Sequence, residues 1–172
     1  LKKLKIEHQV YLNFAVSLAI HDTLLAYDVP NLCIKWPNDI MSDKKKICGV
    51  LIENTFSHSR IKNTIVGIGL NVNQEKFHKK LFNASSLKNI LKKNIALEPL
   101  MNTIVEKIKY RISSVELGNF NKTHEEYHKA LYQKGIPTTF LNQKTRQIFM
   151  GIITGVSSLG NLQIQLEDDT IC

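Results

Sequence analysis

Ile47-Cys48-Gly49-Val50-Leu51-Ile52-Glu53-Asn54-Thr55-Phe56, the link Ser57-His58-Ser59-Arg60, and Ile61-Lys62-Asn63-Thr64-Ile65-Val66-Gly67-Ile68-Gly69-Leu70-Asn71-Val72 decide the fold. Both long runs are rich in Ile, Val and Thr, and the polar link between them is short, so they read as an antiparallel hairpin. Gly67, Gly69 and Asn71 alternate along the second strand and share one face. Glycines there strip side chains from the sheet, so a flat ligand could lie against backbone with Asn71 beside it; a bulge or tight inter-element packing explains the same pattern. As a dinucleotide fingerprint Gly67-Ile68-Gly69 fails, because it lacks a third glycine and opens no helix.

Upstream, His8 to Tyr27 carries two apolar stripes at helical spacing: Tyr11, Phe14, Ala15, Leu18 and Leu25, and Leu12, Val16, Ala19, Ile20, Leu24 and Tyr27. A helix apolar on two sides packs between layers. Asn31 to Trp36 has strand length and is stopped by Pro37, which cannot donate to a ladder. A polar loop is expected from there through Lys45. Downstream, Ser85-Ser86 caps a short helix, and Pro99 suits the first turn of a longer one bearing Ile104, Val105, Ile108, Ile112 and Val115 and ending at Gly118. A last helix is expected from Phe120 to Gln133. Beyond Gly135 only short β runs remain (Thr138 to Leu141, Gln147 to Val156, Leu162 to Leu166), so 1–134 reads as one domain and 135–172 as a small β module whose last strands are expected to be missing.

The chain has 172 residues, 43% of them hydrophobic and 22% charged, enough for one real core. No apolar run approaches the roughly 20 residues that cross a bilayer, and Leu1-Lys2-Lys3-Leu4-Lys5 is not followed by a signal-peptide pattern, so a soluble, cytoplasmic protein without membrane contact is expected. Cys33, Cys48 and Cys172 are odd in number and widely spaced, which excludes a disulfide scaffold and predicts reduced thiols. The 23 Lys+Arg against 15 Asp+Glu give +8, which favours an acidic partner; the lysines lie singly or in short runs and form no nucleic-acid stripe. The chain opens without Met, and an absent upstream segment is expected.

Three further segments could carry chemistry. Lys35-Trp36-Pro37-Asn38-Asp39 brings a cation, an amide and a carboxylate to a strand's C-terminal end, where α/β proteins hold ligands; a plain strand followed by an Asn-Asp turn fits equally. Lys46 opens the strand Ile47–Phe56, where it could neutralise a carboxylate and a phosphate, or be ordinary solvated charge. His124-Glu125-Glu126-Tyr127-His128 spells His-Glu-x-x-His on a helix, but Glu126 stands where zinc proteases carry an apolar residue and no histidine follows it. An amphipathic helix packed through Phe120, Tyr127 and Leu131 is the better account, and no metal site is expected.

Taken together, Lys35-Trp36-Pro37-Asn38-Asp39-Ile40, Lys46-Ile47-Cys48-Gly49-Val50-Leu51-Ile52-Glu53, Val66-Gly67-Ile68-Gly69-Leu70-Asn71-Val72-Asn73 and Ser85-Ser86-Leu87 resemble the biotin protein ligase family, the biotin–[acetyl-CoA-carboxylase] ligases. The resemblance runs from the first helix into the β module. It implies an α/β (α+β) class II synthetase-like catalytic domain on a mixed sheet, N-terminally incomplete, with an SH3-like C-terminal module. It also implies the activity: biotin and ATP, with Mg²⁺, give biotinyl-5′-adenylate and pyrophosphate, and the biotinyl group then passes to a lysine of a biotin carboxyl carrier domain of acetyl-CoA carboxylase.

By the same resemblance Lys46 is the essential lysine bridging the biotin carboxylate and the phosphate, and Asp39 positions adenylate or metal and assists deprotonation of the acceptor lysine. Lys35, Asn38 and Asn71 lie near the adenylate, and Gly49, Val50, Leu51, Gly67, Gly69 and Leu70 floor the site. Family members also carry a Gly-Arg-Gly-Arg loop before the first helix, and this sequence holds none. The chain is therefore expected to bind biotin and ATP poorly and to turn over slowly or not at all, and without the DNA-binding domain of repressor-type members no nucleic-acid role is expected. A homodimer through the sheet edge stays open. The alternatives are a lipoate or octanoate ligase, against which Lys-Trp-Pro-Asn-Asp argues, and a non-catalytic remnant that docks a carrier domain.

Overall fold

The computed structural model describes residues 4–171. Cys172 and the opening Leu1-Lys2-Lys3 lie outside the described residues, and among those described Cys33 and Cys48 are free thiols. Helix α1 (Gln9–Ala26) has almost no polar side: Tyr11, Leu12, Phe14, Ala15, Val16, Leu18, Ala19, Ile20 and Leu24 are all buried. A helix of that kind needs cover all round. It rests on a sheet of β1 (Leu32–Lys35), β2 (Asp39–Ser42), β3 (Lys45–Ser57) and β4 (Arg60–Leu70), and is covered from behind by α3 (Leu97–Glu116) and α4 (Phe120–Lys129). The short α2 (Leu87–Leu91) is capped as expected, Ser86 Oγ accepting from the Asn89 N–H at 3.1 Å.

The sheet runs β1-β2-β3-β4 with every strand–strand junction antiparallel; parallel contact occurs at isolated bridges such as Lys46 with Ala84 and Ile34 with Leu131. β3 and β4 form the expected hairpin, with His58 and Ser59 at positive φ in its two-residue turn. That backbone matches the right-handed twist of the flanking strands. The same device at Asp43 and Lys44 corrects one expectation: the polar loop through Lys45 contains β2. Its buried Ile40 and Met41 supply the apolar pairing, and the run was too short to carry a period of its own.

A second correction concerns α4, which ends at Lys129 and not at Gln133. The Ile34 N–H donates to Ala130 O at 2.7 Å and the Tyr132 N–H to Ile34 O at 2.9 Å, so sheet pairing to β1 ends the helix before Gly135 can. The chain then builds a separate antiparallel sheet, β5 (Pro137–Leu141), β6 (Ile148–Val156) and β7 (Leu162–Gln165). No helix among the described residues is long and apolar enough to cross a membrane.

The helical layer is pinned by Arg111 of α3. Its guanidinium donates to Asp22 of α1 through Nε at 2.9 Å and Nη2 at 2.5 Å, and to Glu126 of α4 through Nη1. Burial would raise the Asp22 carboxyl, but hydrogen bonds from His21 and Arg111 outweigh it and hold its pKa below the ordinary 3.8. Replacing Arg111 by Leu leaves two half-buried carboxylates facing each other, and a loss of about 2 kcal/mol is expected in urea unfolding at neutral pH. The Asp22 contribution is complete above 3.8 and disappears as pH falls below it, so parent and R111L are expected to converge in acid.

Candidate functional site

The open face of the β2-β3-β4 sheet is built by register. Asp39 lies opposite Gly49, Gly49 opposite Gly69, and Leu51 opposite Gly67. A Cβ added at Gly69 would meet nothing nearer than Gly49 O at 3.7 Å, and one at Gly67 nothing nearer than the Leu51 Cβ at 3.7 Å. The two glycines therefore leave main chain bare on this face. Val50 and Leu70, expected in the same floor, point the other way. Val50 is buried in the core, and Leu70 lines an apolar hollow of about 460 Å³ between β4 and α3, with Ile68, Val72, Leu100 and Ile104. Only their main chain belongs to the open face.

Lys46 reaches this face through an irregularity in the strand. Cys48 and Val50 face the core, so strict alternation would send Lys46 inward with them. The β2-β3 register instead slips between Ile40 and Met41: Ile40 opposes Cys48, and Met41 opposes Lys46, leaving Ile47 as the extra residue of a bulge. Ile47 and Cys48 are consequently both buried, and Lys46 turns out onto the glycine side. Its chain lies over Gly49, where an added Cβ would stand 3.2 Å from both Cε and Nζ, and its Nζ is 2.6 Å from Asp39 Oδ1. The two side chains are 47% and 24% exposed, so the pair sits at the mouth of the face.

The backbone of Lys46 is clamped. Its N–H donates to Asn83 O at 2.7 Å, and its carbonyl accepts from the Ser85 N–H at 3.0 Å, a pairing to residues 83–85 that no sequence signal announced. Asn71 ties the same knot: its N–H donates to Ile47 O at 2.8 Å, its Nδ2 to Ser85 O at 3.0 Å, and its carbonyl accepts from the Leu87 N–H. Its amide N–H is thus committed to the protein, and Asn71 supports Lys46 from the side. Asn38 plays the matching part on β3, Nδ2 donating to Val50 O at 2.6 Å and its carbonyl accepting from the Val50 N–H at 2.9 Å. Lys35 pairs in register with Asp39 and is exposed. Trp36, which precedes a cis Pro37, donates its indole N–H to Gly160 O at 2.9 Å and so ties this motif to the β6–β7 turn.

Other reactive groups near the site are occupied or inert. Burial pushes the Cys48 thiol up to about 12, with Asp39 adding to the rise and Lys46 opposing it, so it remains protonated. His124 and His128, the two ends of His-Glu-x-x-His, lie with tilted rings 4.0 Å apart between centroids and both reach the Val156 backbone: His124 Nε2 lies 2.8 Å from its carbonyl, and His128 Nε2 accepts from its N–H at 2.9 Å. A Cβ on Gly155 would strike the His128 ring, so the glycine is there to admit it. The motif stitches α4 to β6, a role the reading of a helix packed through Phe120, Tyr127 and Leu131 did not include. No group of three or more His, Cys, Asp or Glu able to hold a metal occurs among the described residues.

The profile of the Biotin/lipoate A/B protein ligase family matches residues 4–71. A biotin–[acetyl-CoA-carboxylase] ligase of Paracoccus denitrificans is 38% identical over 63 residues, 36% of this chain and 26% of that protein. Biotin–protein ligase 2 of Arabidopsis thaliana is 26% identical over 95% of this chain and 50% of its own length. The chain spans 13% to 50% of the length of the curated relatives it matches. Among solved structures, the biotin protein ligase of Aquifex aeolicus in complex with biotin and ATP superposes with a TM-score of 0.79 at 23% identity, over 97% of this chain and 68% of that one, a likeness of fold.

The histidine pair yields a pH prediction. Burial, then the neighbouring His124, lowers the His128 pKa below 6.5, against the pull of the Val156 carbonyl. Its contribution is therefore present above pH 6.5 and is lost as pH falls through the folded value. The parent's melting temperature is expected to drop as pH falls below 6.5, and that of H128Q, whose amide does not titrate, to fall less over the same range.

Proposed function

We propose that the chain, whose residues 4–71 match the Biotin/lipoate A/B protein ligase family, acts as a biotin protein ligase, activating biotin with ATP and passing the biotinyl group to a lysine of a biotin carboxyl carrier domain. The observation that carries this reading is Lys46, turned by a bulge onto bare main chain and held beside Asp39. The first step brings a biotin carboxylate oxygen onto the α-phosphorus of ATP: an O–P bond forms, and the bond to pyrophosphate breaks. Two anions must meet, and their repulsion is the chief barrier a protein cation can lower. On this reading Lys46 Nζ touches both. Gly67 and Gly69 let flat groups approach the sheet closely, and Leu51 gives them an apolar edge.

In the second step the acceptor lysine's amine, once deprotonated, attacks the acyl carbon, and the bond to the phosphate oxygen breaks as AMP leaves. On this reading Asp39, the carboxylate beside Lys46, takes that proton. Mg²⁺ would arrive on the nucleotide phosphates and screen their charge, and the Asp39 carboxylate suits it as an oxygen ligand. Asn38 and Asn71 serve by fixing the strands on either side of Lys46, while Lys35 adds positive charge near Asp39. On this reading 1–134 is the catalytic domain and 135–172 an SH3-like module that braces it through Trp36. The Lys-Trp-Pro-Asn-Asp stretch favours biotin over lipoate.

A non-hydrolysable biotinyl-adenylate analogue, titrated calorimetrically, tests the site without requiring turnover. Binding by the parent is expected, about a hundredfold weaker binding by K46A, and none by G69L, whose side chain would fill the cradle. Circular dichroism is expected to be unchanged in both. Preference for the lipoyl analogue, or equal affinity of K46A and parent, would overturn the assignment.

A further inference from the structure

Helix α4 grips the small sheet through Val156, the last residue of β6, which is buried. The Val156 N–H donates to His128 Nε2 at 2.9 Å, and its carbonyl lies 2.8 Å from His124 Nε2. A carbonyl only accepts and an N–H only donates, so the two rings hold their protons on opposite nitrogens: His124 on Nε2, His128 on Nδ1 with Nε2 bare. A second proton on His128 sets N–H against N–H and strips a buried donor of its acceptor. The 3.0 Å approach of that Nε2 to the Val156 carbonyl, already served by His124, does not replace it. The surroundings oppose the charge as well: His124, 4.0 Å away between ring centroids, and Lys134 both act against it. On α4 itself Glu126 is committed to Arg111, while Glu125 and Lys129 are exposed. β6 and β7 carry no ionisable side chain, and α1 presents the Phe14 ring to His124.

We propose that His124 and His128 form a proton-operated latch: neutral, they dock the small sheet on α4, and protonation of His128 frees β6, loosens Trp36 and weakens ligand binding at the cradle. Docking does not depend on the ligase reading; the effect at the cradle rests on it. The connection runs through the β6–β7 turn. Gly160 of that turn accepts the Trp36 indole N–H at 2.9 Å, and Trp36 leads through Pro37 and Asn38 to Asp39, whose Oδ1 is 2.6 Å from Lys46 Nζ. An aliphatic side chain at 128 would keep the contact buried at every pH. The half-buried imidazole found there, with room made for it by Gly155, makes docking conditional on its proton. Burial and His124 hold His128 below 6.5, so the latch is closed above that value and opens as pH falls through the folded one. The opening is local, because the core around α1 is untouched by it.

Trp36 is the single tryptophan of the chain, so its emission reports whether the β6–β7 turn is docked. In the full chain, emission is expected to move to the red as pH falls below 6.5, with far-UV circular dichroism unchanged, and the hydrogen-exchange protection of the Val156 amide to drop about tenfold. H128Q, whose amide oxygen still accepts from Val156 and does not titrate, is expected to keep the emission it has at neutral pH. H58Q, altered in the β3–β4 turn, is expected to respond as the parent does. The biotinyl-adenylate analogue is expected to bind the parent about fivefold more weakly once the latch opens, and H128Q with little change. Flat emission, unchanged Val156 protection, an equal shift in H128Q, or loss of circular dichroism in the same step would overturn the latch. Should H128Q not fold, the Val156 amide of the parent decides alone. Equal loss of analogue affinity in parent and H128Q would overturn the coupling to the cradle. A parent that binds no analogue at any pH, yet releases Trp36 as expected, would sink the reading of the cradle and leave the latch standing.

Discussion

One extra residue in β3 governs the site. In a regular strand the side chains at 46, 48 and 50 would share a face, and that face is the core: Cys48 and Val50 are buried against α1. A lysine cannot follow them there without losing its hydration for no partner, which costs several kcal/mol. The bulge at Ile47 resolves the conflict by burying two consecutive residues and sending the third outward. What emerges is a cation lying across Gly49, with Asp39 as its neighbour, directly beside the stripped backbone of Gly67 and Gly69. Any residue other than glycine at 49 would compete with Lys46 for the same space, so the glycine and the lysine make one device.

A bulge is a soft element, and the surroundings stiffen it. Residues 83–85 bond both the N–H and the C=O of Lys46, Asn71 fixes Ser85 and Ile47 at once, and Asn38, just before β2, closes on Val50. Preorganisation of this sort lets an ammonium stabilise developing charge without first reorganising. The same accounting shows that Asn38 and Asn71 each give one side-chain N–H to main chain, to Val50 O and Ser85 O.

Much of this was legible in the sequence, and the rest was not for physical reasons. The two-sided apolar pattern of α1, the β3–β4 hairpin and the open glycine face follow from period alone, since 3.6 and 2 are the spacings at which side chains share a surface. β2 was not legible, because four residues between two tight turns hold too short a stretch for any period to register. The end of α4 was invisible because its cause lies far away in β1. The bulge left one trace, the adjacent apolar pair Ile47-Cys48 after three lysines, which reads equally well as the start of an ordinary buried strand. Val50 and Leu70 were assigned to the site as parts of motifs, and motifs do not record which way a strand residue points.

Trp36 extends the argument beyond the sheet. Its indole N–H spends its single donor on Gly160, in a turn that also presses against Val10 at the start of α1, where an added Cβ at Gly160 would stand 3.0 Å from Val10 Cγ2. The turn is thus held from two sides, by the helix beneath the sheet and by the motif that delivers Asp39. The histidine pair on α4 grips the same β6 strand at Val156. With three elements of the main fold fastened to one hairpin, the small sheet cannot shift without disturbing the strand that carries Asp39, and so the placement of the carboxylate beside Lys46 depends on contacts made more than a hundred residues further along the chain.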